Sequence, residues 1–338
     1  MPRQHARARN SSSHAPDVSP HSRPKPRQAT KSPDPLAAWS RHIAQAQSEV
    51  TELVQRELDR LGPPSTLLEA CKHALLTTPS NRIRAILVKG MGQAANPETD
   101  LSLAIAGVEF VVSAAKAVDD LPSMDNSPDR GGVTSVHSAF GPGTALLASY
   151  ALIAGGYACL QHNAQHIASS SLPHALEAYP RLARVVQELS DSIGARGAAL
   201  GQFRDLANVA AKDEEDLLSV IDLKTSSLYV MAATTGWVLA GGDLERLQTV
   251  HTAAIHLGRG MQIKDDIEDA PQDAASGRRC NYATEYGLTL AYLRLRTELD
   301  GYRTAIQSLP GDRATLETLA LPIQLALRSH GTTEPTDC

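Results

Sequence analysis

Two acidic runs carry the chemistry legible in this chain: Asp119-Asp120-Leu121-Pro122-Ser123-Met124-Asp125 and Asp265-Asp266-Ile267-Glu268-Asp269. Each stands where an apolar, helix-reading segment gives way to polar residues. In the second run Asp265 and Asp269 are four apart, which sets both carboxylates on one helix face. The first run is less regular, because Pro122 cannot occupy a helix interior without breaking it. A bulge or loop there can bring Asp125 back beside Asp119. Two carboxylate clusters facing each other across a bundle repel unless cations lie between them. Their hard oxygens suit Mg²⁺, an ion that keeps waters and shares its coordination with phosphates. One cluster alone reads equally as a solvated helix end. Two, embedded in apolar helices, point to a magnesium-clamped diphosphate site.

The elements that must position these runs read as helices. Ile43, Val50, Val54, Leu58 and Leu61 recur at helical spacing, Pro63-Pro64 ends that segment, and Ser65 can cap the next. Residues 101–118 form a largely apolar helix that ends at Asp119. Its charged exceptions are Glu109 and Lys116, and Lys116, four before Asp120, is expected to pair with it along the helix. Residues 180–206 read as helical and close on Gly201-Gln202-Phe203-Arg204-Asp205. Lys212 to Asp216 reads as a helix end or connection, a further helix carries Lys224-Thr225 near its start, and 244–268 lead into the second acidic run. Residues 285–328 read as one or two closing helices. No segment has a strand period, so the fold class is all-α, a single large helical bundle over residues 36–328.

Composition agrees. Of 338 residues, 42% are hydrophobic and 20% charged, enough for a real core, and aromatics are only 4% against abundant Ala and Leu. A formal charge of −5 gives no electrostatic reason to expect nucleic acid. Cys71, Cys159, Cys280 and Cys338 are scattered, which excludes a disulfide framework or zinc site and suits reduced thiols in the cytoplasm. The apolar run 145–160 is shorter than the ~20 residues that span a bilayer, so a buried core helix is expected and no membrane span. Residues 1–35, rich in Arg, Ser, His and Pro, read as a disordered tail, and 329–338 as a frayed end.

Taken in order, the residues resemble the trans-isoprenyl diphosphate synthase (polyprenyl synthetase) family, a class I terpenoid fold, over roughly 79–292. Residues 119–126 followed by Arg130, Gly132, His137 and Phe140-Gly141 look like that family's first aspartate-rich motif and its sequel, and 261–269 looks like the second. Gly201-Gln202, Asp205 and Lys224-Thr225 fall between them in the family's order. The resemblance implies two to three Mg²⁺ ions held by Asp119, Asp125, Asp265 and Asp269, with Asp120 and Asp266 as further ligands or as residues that orient ligands. It implies phosphate contacts from Arg130, Lys224 and Lys264, with Thr225 and Gln262 against the start of a prenyl chain. It also implies a homodimer. Outside these motifs, His137 reads as a hydrogen-bonded structural histidine.

The same resemblance exposes departures. Elongating members bind isopentenyl diphosphate with a Gly-Lys-Arg-x-Arg-Pro run, where this chain has Ser80-Asn81-Arg82-Ile83-Arg84-Ala85. Val112 stands where a His or Gln is usual, and Arg130-Gly131 replaces an arginine pair. Only Arg84 and Arg82 remain to meet that second diphosphate, with Arg278 or Arg279 standing for a later lysine. The expectation is therefore an enzyme that ionises a C15 or C20 allylic diphosphate and cyclises the cation or passes it to another acceptor. The alternative is a chain-elongating farnesyl or geranylgeranyl diphosphate synthase, and a third reading is a non-catalytic subunit. Ala114 and Ala115, small residues upstream of the first motif, leave room for a long chain.

Overall fold

The computed structural model describes residues 35–78, 80–208, 211–277 and 280–330. The expectations for the tail over 1–34, for Arg278 and Arg279, and for residues beyond His330 fall outside them.

Helix α1 (Pro35–Leu58) buries Val50, Val54 and Leu58, the stripe their spacing predicts, and stops short of Pro63-Pro64. Ser65 caps α2 (Thr66–Lys72) by accepting from the Leu68 amide at 3.2 Å. Then follow α3 (Ile83–Ala95), α4 (Ser102–Asp119), α5 (Val136–Phe140), α6 (Pro142–Ala168), α7 (Ala178–Ile193) and α8 (Ala198–Leu206). After these come α9 (Glu214–Ile221), α10 (Ser227–Leu239), α11 (Leu247–Ser276), α12 (Tyr282–Tyr286), α13 (Leu288–Gln307), α14 (Ala314–Leu319) and α15 (Leu321–Ser329).

The bundle is organised about α10. Every residue from Leu228 to Leu239 is buried, as expected of a helix that is apolar on all sides. It packs against α3, α7 and α11, while α4 lies on α6 and α11 on α13. The all-α expectation is therefore met.

Four details differ from the sequence reading. The run 145–160 belongs to a 27-residue helix, α6, long and apolar enough to cross a bilayer by composition alone. Its buried residues, among them Ala145, Ala148, Leu152, Cys159 and Leu160, form a face against the bundle, and Gln161, His162, Gln165 and His166 on the other side are exposed. Residues 180–206 are two helices, separated at Gly194–Gly197, and the closing segment is three, α13 to α15. A minimal hairpin joins β1 (Asp129–Arg130) to β2 (Val133–Thr134). Its two turn residues, Gly131 and Gly132, both have positive φ, 59° and 78°, a conformation that suits glycine and strains an arginine.

Candidate active site

Pro122 ends α4 and the chain folds back on itself. The Asp125 amide donates to the Asp119 carbonyl at 2.9 Å and the Asn126 amide to that of Leu121 at 3.0 Å. The loop expected to return Asp125 to Asp119 is therefore present. Gln202 on α8 donates to Asp125 Oδ1 at 3.0 Å. Burial pushes the Asp119 carboxyl up to about 6, with Lys224 opposing the rise and Asp125 adding to it.

The opposite acidic run lies on α11. Gln262 joins two neighbours: its amide donates to Asp266 Oδ1 at 2.8 Å, and its carbonyl accepts from the Thr225 hydroxyl at 2.7 Å. Thr225 and Lys224, expected near the start of a helix, sit in a π turn, Asp222–Ser226, that leads from α9 into α10. Such turns re-aim side chains, and here Lys224 forms an ion pair with Asp205 of α8. Gly201 permits that approach, since a Cβ there would lie 2.2 Å from the Lys224 backbone nitrogen.

One cavity of about 520 Å³ joins the two runs. Asp119, Asp125, Asp265, Asp269, Arg84, Arg130, Lys224, Thr225, Gln262 and Lys264, all expected site residues, line it. A second, apolar cavity of about 320 Å³ continues from Asp119, lined by Val111, Ala114, Ala115, Val118, Ile153 and Phe203 among others. Ala115, Asp119, Lys224 and Leu228 border both, so the room expected beneath the acidic run exists.

Three expected site residues do not face this cavity. Arg82 is 5% exposed and turns inward, donating to Glu109 Oε1 at 2.5 Å and bonding the Leu75 carbonyl. The cause is its left-handed backbone, φ 54°, at the start of α3, which sends residues 82 and 84 in different directions. Asp120 is spent on a bidentate pair with Arg130, at 2.6 and 3.2 Å. Asp266 is buried and accepts from Gln262 and from the Tyr282 amide, the latter at 2.8 Å. Asp120 and Asp266 are thus engaged by these partners and do not line the cavity. His137 is structural, its Nε2 lying 2.9 Å from the Ser127 carbonyl oxygen.

Beside Arg84, which was expected, the cavity has a cation that sequence reasoning missed, Lys116. Lys116 does not pair with Asp120. Its Nζ donates to Ser80 Oγ at 3.1 Å and it lines the cavity beside Asn81, Arg84 and Gln47. Burial pushes its ammonium down to about 8, against the attraction of Glu109 and with repulsion from Arg84, Arg130 and Arg82. A lysine inside an apolar helix, three residues before Asp119 and so on nearly the same face, was the available signal. Arg84 stacks on Tyr229, 4.5 Å from the ring centroid, and its Nε is buried without a hydrogen-bond partner.

The donors of Asp119, Asp125, Asp265 and Asp269 are hard carboxylate oxygens of the kind Mg²⁺ takes. No three such groups converge on one point among the described residues. That suits ions shared between protein and substrate phosphates more than an all-protein cage.

Fold and cavity together define an all-α bundle of the class I terpenoid type. Its backbone matches the crystal structure of a geranyltransferase from Legionella pneumophila with a TM-score of 0.73, over 88% of this chain and all of that one, at 24% identity. The polyprenyl synthetase family model matches residues 65–307. Two similar proteins are geranylgeranyl diphosphate synthases. That of Pantoea ananas is 28% identical over 81% of this chain and 83% of its own length. That of Pseudescherichia vulneris is 30% identical over 66% and 72%. The chain belongs to the polyprenyl synthetase family and is a prenyltransferase acting on allylic diphosphates.

Proposed function

We propose that this prenyltransferase elongates its allylic substrate with isopentenyl diphosphate, the alternative raised by the sequence, and does not cyclise it. The observation that carries the reading is one cavity lined both by carboxylates with cations paired beside them and by two cations that have no carboxylate partner among the described residues, Arg84 and Lys116. An enzyme that only ionised an allylic diphosphate has no use for those two cations. The relatives in Pantoea ananas and Pseudescherichia vulneris, both geranylgeranyl diphosphate synthases, support it.

Asp119, Asp125, Asp265 and Asp269 would hold Mg²⁺, two to three ions by family resemblance, which neutralise the charge of the departing pyrophosphate. Lys224 and Lys264 add fixed positive charge beside it. Arg130, paired with Asp120, keeps its guanidinium at the cavity edge. The allylic C–O bond breaks, the alkene of isopentenyl diphosphate forms the new C–C bond, and a proton leaves the resulting cation. Thr225 and Gln262, fixed to each other, border the start of the prenyl chain, and the apolar cavity behind Asp119 receives the rest. Its extent favours C15 and C20 chains.

A homodimer is part of this reading, supported by exposed Leu147 and Tyr150 on α6. Cytoplasmic residence is another part, supported by the free thiols of buried Cys71 and Cys159.

The test is incubation with Mg²⁺ and geranyl or farnesyl diphosphate, with and without isopentenyl diphosphate, and mass spectrometry of the products. A product longer by one C5 unit is expected. A hydrocarbon or alcohol formed regardless of isopentenyl diphosphate would restore the cyclase reading, which Asn81, Val112 and Gly131 favour.

A further inference from the structure

The cations that border the cavity fall into two groups. Arg130 is paired with Asp120, Lys224 with Asp205, and Lys264 with Asp265 and Glu268. Arg82, behind the wall, is paired with Glu109. Arg84 and Lys116 have no carboxylate partner among the described residues. Lys116 reaches a single hydroxyl, and the buried Nε of Arg84 reaches nothing. Holding two half-buried cations together, with only Glu109 nearby and that already paired with Arg82, is costly, and the cost makes sense where an anion is to bind.

The position of Lys116 says which anion. The elongating-family pattern that the sequence resembles has a lysine where this chain has Asn81. Lys116 comes from a different element, α4, yet its ammonium ends on Ser80, the residue next to Asn81. Ser80 also donates to Glu109 Oε1 at 3.2 Å, and Glu109 is in turn held by Arg82. The hydroxyl that steers Lys116 is thereby itself fixed. The charge missing from the loop is supplied to nearly the same place from α4.

We propose that Lys116 is the cation that binds the diphosphate of the second substrate, in place of a lysine at position 81 and together with Arg84. This rests on the elongation reading above. It makes Lys116 a substrate-binding residue selective for the homoallylic partner. Asp119, three residues on, faces the allylic one.

The experiment compares wild type with Lys116→Leu and Lys116→Gln, and with Asn81→Lys added to each. Binding of isopentenyl diphosphate and of farnesyl diphosphate is measured by titration calorimetry in Mg²⁺ buffer, and products by mass spectrometry. Loss of one charge-assisted contact predicts a Kd for isopentenyl diphosphate weaker by about 10- to 100-fold. Farnesyl diphosphate binding should change less than about threefold, and Asn81→Lys should recover most of the loss. Lys116→Gln, of similar length, reports if the leucine variant fails to fold.

Unchanged isopentenyl diphosphate binding in both variants, or equal loss for both substrates, overturns the proposal while leaving elongation intact if wild type still lengthens the chain. Selective loss in variants of a wild type that never lengthens it keeps the Lys116 site and removes the elongation reading. A wild type that does not bind isopentenyl diphosphate removes both.

Discussion

The acidic and basic walls of the cavity differ in how their charges are kept. On the acidic side like charges crowd, but each has something to oppose it: Lys224 near Asp119, Gln202 on Asp125, Lys264 beside Asp265. On the basic side Arg84 leans on an aromatic face and Lys116 on one hydroxyl, and Glu109 is already committed to Arg82. One wall is held ready by neighbours that oppose its charge, whereas the other is left incomplete. On the proposed reading, the difference means that the two diphosphates would be recognised by unlike means, bridging cations for one and direct contact for the other.

Breaking the acidic wall should have the largest effect. Asp119→Ala or Asp265→Ala is expected to lower kcat by roughly 10²- to 10³-fold, the usual scale for losing a group that stabilises departing charge. Chelating Mg²⁺ should abolish turnover, and adding it back should restore it. Isopentenyl diphosphate binding to Asp119→Ala, measured by calorimetry, should survive; its loss would mean the walls are not separable.

Next is the pair behind the basic wall. Arg82→Met leaves Glu109, 1% exposed, as a buried charge without its partner, and should cost about 3 kcal/mol in urea unfolding. Arg84→Ala touches the wall itself. It should raise KM for isopentenyl diphosphate about 10- to 100-fold with kcat little changed, and an equal rise for the allylic substrate would refute the division.

The smallest effect is pH. Lys116 is charged below about 8 and loses its proton above it; Glu109 on its own helix favours the charge, and Arg84, Arg82 and Arg130 oppose it. KM for isopentenyl diphosphate should therefore rise up to about tenfold between about pH 7 and 9. Lys116→Arg, which stays charged, should flatten that rise. In the other direction, Asp119 takes up a proton as pH falls through about 6. Mg²⁺ affinity, measured by calorimetry, should fall there because the proton competes for the same oxygen.

What the sequence made legible follows the same division. The acidic wall is built from contiguous residues, so spacing and one proline were enough to foresee the return of Asp125 to Asp119. The apolar stripe through Val50, Val54 and Leu58 and the cap at Ser65 obey local rules in the same way. The basic wall is assembled from a loop, α3 and α4, and local rules mislead there. Helix spacing pairs Lys116 with Asp120, but Asp120 is taken by Arg130 from the hairpin. Arg82 and Arg84 look equivalent until one left-handed residue separates them. Lys224 was placed at a helix start because a π turn has no signature that separates it from a helix.

Pro271 stands inside α11, two residues beyond Asp269. A proline there has no amide to give to the Ile267 carbonyl, and its ring crowds that oxygen. The helix is about 45 Å long, yet as a mechanical object it is a stiff rod with a soft last turn. Asp265 is on the stiff part and Asp269 next to the joint. A ligand that drew on Asp269 would then be expected to bend one turn instead of the whole beam.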